Sequence, residues 1–149
     1  MSTLSFFITI AGFVIGLGAV TVIDLHGFLG RKSSYWSEAT TRTHKITKPL
    51  IWVGIILVLI GQILFYKNGL LIIDNFKINL AIIFLLFING IFLSFIVSPA
   101  LISREKEGKA GELLPQSLQN KITVSFVISF LGWWTLVYLF ASFIIKLIK

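Results

Sequence analysis

The chain contains no cysteine. That excludes a disulfide framework, a thiolate zinc site, a cysteine-ligated iron–sulfur cluster and covalent c-type haem attachment. Charge is scarce as well: Asp, Glu, Lys and Arg make up 13% of the residues, where a soluble domain carries roughly a quarter. So few charged side chains cannot clothe a water-facing globule. The sequence has no Walker loop, no dinucleotide glycine fingerprint and no zinc-protease motif, so nothing signals catalysis on a soluble substrate. Histidine is limited to His26 and His44. Any metal or cofactor would have to rest on these, on Met1, on carboxylates or on backbone.

What the chain does have is apolar length. Hydrophobic residues make up 56% of it, with 14 Phe. Four stretches carry no charge: Met1–Ile23, Pro49–Tyr66, Ile78–Ser103 and Ile122–Ile145. Each is close to the ~20 residues a helix needs to cross a hydrocarbon core of ~30 Å. Backbone amides stranded in lipid would be left without partners, so runs of this length must be helical. The expected fold is all-α, an integral membrane four-helix bundle running up-down-up-down. It forms a single domain over residues 1–149, with spans at about 4–23, 49–66, 79–101 and 122–145. Met1-Ser2-Thr3 lacks a basic n-region, so the first run reads as a retained helix rather than a signal peptide.

The formal net charge of +7 has a topological explanation. Nine of the basic residues fall in the first and third loops: Arg31, Lys32, Arg42, Lys45, Lys48, Arg104, Lys106, Lys109 and Lys121. Only Lys67, Lys77, Lys146 and Lys149 lie on the other side. The positive-inside bias therefore puts those two loops in the cytoplasm and both termini outside, in a plasma (inner) membrane. The expected partner is the lipid bilayer, not nucleic acid. Tyr35, Trp36, Trp52 and Tyr66 sit where interfacial rings belong, whereas Trp133 and Trp134 fall mid-span and are expected to pack against neighbouring helices.

Helices in lipid associate through small residues that allow close approach. Thr9, Gly12, Gly16 and Ala19 mark such a face on the first span, Gly54 and Gly61 on the second, Gly90, Ser94 and Ser98 on the third, and Ser125 and Ser129 on the fourth. They favour a tight bundle, or one that also forms a homo-oligomer or joins a membrane complex. Gln62 and Asn89 are the intramembrane polar residues, expected to bond to each other across spans two and three or to line a path, with Asn79 at an entry. The absence of Asp, Glu, Lys and Arg within the spans argues against an ion-coupled transporter. The first loop is expected to hold a short interfacial helix around Tyr35–Thr43. Pro49 then opens span two, or kinks it if that helix starts earlier, near Ser37; Pro99 bends or ends span three. The mixed-charge loop Arg104–Glu112 reads as a solvated connector.

His26 and His44 flank the first loop at one membrane face. Two neutral imidazoles across a helix pair can supply both axial ligands of a b-type haem, with Arg31, Lys32, Arg42, Lys45 or Lys48 meeting the propionates. Topology accounts for the same cations without a haem, and the histidines then bond to loop backbone or water. Asp24-Leu25-His26 offers a carboxylate that could orient the imidazole or hold a cation with it; the alternative is a headgroup-level charge paired with a loop Arg.

The segment from Val22 to Gly61, with its basic, histidine-bearing end of span one and its step Lys45-Ile46-Thr47-Lys48-Pro49 before span two, resembles the first hairpin of the CopD/HemJ-like small membrane proteins. The remaining spans agree in number and order, including the Gln116–Lys121 approach to the last. Where HemJ-type members carry a histidine early in span one, this chain has Ser5-Phe6-Phe7. The resemblance implies a four-helix bundle associated with haem or porphyrin and a redox role, with His26 and His44 as metal ligands and Arg42, Lys45 and Lys48 as cofactor-binding residues. The cofactor would be haem b, otherwise none. The competing expectation is a non-enzymatic membrane subunit, or a small channel or permease.

Overall fold

The computed structural model describes residues 3–69 and 73–148, with side chains for 3–69 and 76–146. Met1 and Lys149 lie outside the described residues. The elements are α1 (Thr3–Leu29), α2 (Ser34–Lys67), α3 (Ile73–Phe92), a π-helical turn (Leu93–Val97), α4 (Ser98–Lys106) and α5 (Gln116–Ile148). α3, the π turn and α4 follow one another without a break, so the described residues form four rods, each long and apolar enough to cross a membrane.

Neighbouring rods pair antiparallel. Gly12 of α1 lies against Val58 of α2, where a Cβ on Gly12 would meet the Val58 amide nitrogen at 2.7 Å. Gly16 abuts Gly54 and Thr9 abuts Gly61, so the expected small-residue faces of spans one and two form one seam. Small residues permit such backbone approach, the kind of contact that holds helix pairs where lipid supplies no hydrophobic drive. Trp133 of α5 packs onto Gly16, and Phe13, Phe65, Phe140 and Phe143 fill the core beside it. Trp134 does not join them: it is 49% exposed. Consecutive helical residues point about 100° apart, so only one of the two tryptophans can face inward.

Two corrections concern helix ends. No separate interfacial helix forms at Tyr35–Thr43. That segment is the first third of α2, a 34-residue helix that runs through Pro49, in line with the alternative of an earlier start near Ser37. Ser37, Thr40, Thr41, His44 and Thr47 make a buried stripe along it, which ties the polar segment to the bundle. Thr40, Thr41 and Thr47 turn their hydroxyls onto the carbonyls four residues back, satisfying themselves locally. At about 1.5 Å per residue α2 is roughly 50 Å long and overshoots a core of about 30 Å. The bundle therefore continues past the apolar zone at its basic end.

The third loop is also more than a solvated connector. Arg104 donates from Nη2 to the carbonyls of Lys109, Glu112 and Leu113 at 3.2–3.3 Å, and the Ser37 hydroxyl donates to Glu112 O at 2.8 Å. Leu114 is buried with Leu118, Ile122, Val97 and Leu101 in a second, smaller core beneath the loop.

Candidate functional site

A partly open cavity of about 70 Å³ lies at the basic end, between all four rods. It has room for a few waters, at roughly 10–15 Å³ each by this measure. α1 contributes Ile23 and Asp24 to its wall; α2 contributes Thr40, His44, Thr47, Lys48, Ile51 and Trp52. The third rod contributes Gly90, Leu93, Ser94, Val97, Ser98 and Leu101, and α5 adds Ile122 and Ser125. Gly27 of α1 meets Ile122 of α5, which brings Asp24 to the level of Ser125. Each rod thus supplies at least one polar residue at a common height.

The π turn shapes this wall. Pro99 has no amide to continue the α ladder, and just before it the chain widens by one residue, with Ser98 N–H bonding back to Leu93 O. Ser94 and Ser98 then both reach the cavity. Single π turns inside α-helices are frequent at functional sites.

His44 is buried, and both of its ring nitrogens are engaged. Nδ1 lies 3.1 Å from the Thr41 carbonyl, which can only accept, so Nδ1 carries the proton in the neutral ring. Nε2 then accepts from the Ser98 hydroxyl at 2.8 Å. Trp52 donates from Nε1 to Ser94 Oγ at 3.2 Å. Asp24 behaves differently. It is 8% exposed, and its Oδ2 is buried without a hydrogen-bond partner, as is the Ser125 hydroxyl. The expected pairing of Asp24 with a loop Arg does not form: Arg31 stacks over Phe28, Arg42 pairs with Glu38, and Arg104 holds the third loop. The outward-facing arginines cannot follow a carboxylate that α1 turns inward.

The histidines are not presented together. His44 lines the cavity and His26 does not; the His26 ring packs 5.0 Å from Trp36, with Nδ1 buried and unpartnered. Of the expected propionate partners, Arg42 is exposed and paired with Glu38, Lys45 forms an ion pair with Glu105, and Lys48 lines the cavity. With Nε2 of His44 engaged by Ser98 and His26 outside the cavity lining, the structure does not bring the two imidazoles to one site. Among the described residues no group of three or more His, Cys, Asp or Glu could hold a metal ion.

Gln62 and Asn89 do not bond to each other either. Asn79 donates to Gln62 Oε1 at 3.1 Å, while Asn89 donates to Ser129 Oγ at 2.9 Å and to Ser125 O at 3.2 Å. Antiparallel pairing sets Gln62 opposite Asn79, about three turns from Asn89. These amides tie rods together and lie outside the cavity lining.

No protein-family model, curated protein or solved structure matches this chain.

Proposed function

We propose that this chain is an integral protein of the plasma (inner) membrane that binds a small guest in the cavity beneath its basic end, working as a small permease or as the ligand-binding subunit of a membrane complex. The rods cross up-down-up-down, with both termini outside and the third loop in the cytoplasm. The nine-to-four bias of basic residues supports that orientation. The observation that carries the reading is the cavity itself: all four rods line it, and Asp24 on its wall has a buried carboxyl oxygen that none of the described residues satisfies. A group left so is costly unless something else meets it, and an ionisable residue buried among membrane helices marks a ligand path by default. The haem reading, resting on His26, His44 and the CopD/HemJ-like layout, asks for more: His44 must release Ser98 and His26 must enter the cavity.

The absence of cysteine makes a clean test available. Leu93→Cys places one thiol on the cavity wall, and Leu86→Cys places one in the closed core. In sealed vesicles N-ethylmaleimide should label the first much faster than the second. Equal, slow labelling would mean that the cavity is closed packing and the proposal is wrong. A visible spectrum of the purified protein decides the haem reading independently, since only that reading expects a Soret band weakened by His26→Ala and by His44→Ala.

A further inference from the structure

Resting on that reading, the geometry points to the class of guest: a singly charged amine with an apolar body, its ammonium held by Asp24 and Ser125. Four groups of the polar wall have spent their donors, while Lys48 on the same wall still carries its ammonium. Thr40 and Thr47 give their hydroxyl protons to backbone carbonyls, Ser98 gives its own to His44, and the Trp52 indole N–H is turned onto Ser94. What these four groups have left to offer is lone pairs. Asp24 Oδ2 adds an unmet acceptor, and the unmet Ser125 hydroxyl stands on the facing rod. These acceptors call for a guest that brings donors.

An ammonium brings up to three and neutralises the carboxylate as well, whereas an alcohol brings one and no charge. A carboxylate or phosphate could meet the Lys48 ammonium, but it would meet Asp24 with like charge and leave its oxygen without a donor. A divalent cation would find a single carboxylate, and no acidic or histidine cluster stands among the described residues. The rest of the lining is apolar, with Ile51, Leu93, Val97 and Ile122, and suits an alkyl body rather than a hydrated ion. Lys48, half-buried on the same wall, sets the limit of one positive charge on the guest.

The probe is hexylammonium, compared with hexanol and hexanoate, against maleimide labelling of the Leu93→Cys protein in vesicles. Hexylammonium should slow labelling at concentrations where the other two do nothing. Asp24→Asn, which keeps the shape and removes the charge, should raise the half-protecting concentration on the order of thirtyfold, as loss of one partner of a buried charge pair does. The comparison of the three probes with Asp24 in place stands even if Asp24→Asn does not fold. Labelling that proceeds normally but is slowed equally by hexanol overturns the amine assignment and leaves the cavity reading intact. Protection by sodium alone overturns it in favour of a metal ion. A thiol at position 93 that never labels removes the cavity reading and this inference together.

Discussion

The imidazole of His44 and the hydroxyl of Ser98, 54 positions apart in the chain, share a 2.8 Å hydrogen bond that joins α2 to the third rod beside the cavity. The bond fixes the tautomer, because the other ring nitrogen faces a carbonyl. Nitrogen-15 spectra of the histidine-labelled protein should show the neutral His44 ring protonated at Nδ1. Ser98→Ala should lower stability by about 1–3 kcal/mol, the cost of an unmet buried acceptor. A neutral ring protonated at Nε2 would break this account of the wall.

The seam between α1 and α2 makes a sharper stability test. A methyl at Gly54 would strike the Gly16 backbone, which cannot move without parting the helices, whereas a methyl at Gly18 meets nothing within 4 Å. Gly54→Ala should therefore cost about 1–3 kcal/mol, as overpacking does. Gly18→Ala should be neutral or slightly stabilising, since alanine is the better helix former. Thermal unfolding in detergent distinguishes the two, and equal effects would contradict the close approach.

The amide pairs predict which double-mutant cycles show coupling. Gln62→Leu with Asn79→Leu should couple by about 0.6–1.7 kcal/mol, the range for hydrogen bonds between membrane helices. Gln62→Leu with Asn89→Leu should be additive, because the two amides serve different rods. Coupling in the second cycle and not the first would reverse the register found between α2 and α3.

Much of this fold is legible from residue types alone. Four uncharged runs of membrane length announce four rods, and Thr9, Gly12 and Gly16 mark the face on which α1 meets α2. The polar start of α2 is not legible that way. Its threonines, basic residues and Pro49 leave open a separate interfacial helix or an early start of span two, and what joins it to the span is the buried stripe from Ser37 to Thr47. Tertiary burial there overrides weak helix propensity.

The cavity was half visible. His44 stood out by its rarity, but Ser94 and Ser98 read as a packing face, because the π turn that aims them inward has no signature beyond Pro99. Asp24 was the signal to follow. The small-residue stripe of α1, continued at its own spacing past Ala19 and Val20, arrives at Asp24 and then Gly27, both buried. An acidic residue on that line had to face the bundle.

The third loop yields the last prediction. Arg104 holds three carbonyls of residues 109–113, Ser37 holds one of them as well, and Gly108 turns the chain at a φ of +74°, which side chains disfavour. On the solvent side of this strap Lys109 pairs with Glu107 at 2.8 Å; that ammonium and the Ser103 hydroxyl hold the Glu107 carboxyl below its usual range. Both side chains are exposed, so this ion pair adds little to the strap. Arg104→Gln should therefore free the loop while leaving the helices folded. Amide exchange across 109–113 should quicken about fivefold, the equivalent of roughly 1 kcal/mol of local stability. Trypsin should cut faster after Lys106 and Lys109, and only in vesicles that expose the face carrying this loop. Glu107→Gln, which breaks the ion pair and leaves Arg104 in place, should change neither rate by much. Were Glu107→Gln to free the loop and Arg104→Gln not, the strap would be held by the surface ion pair instead of by the guanidinium.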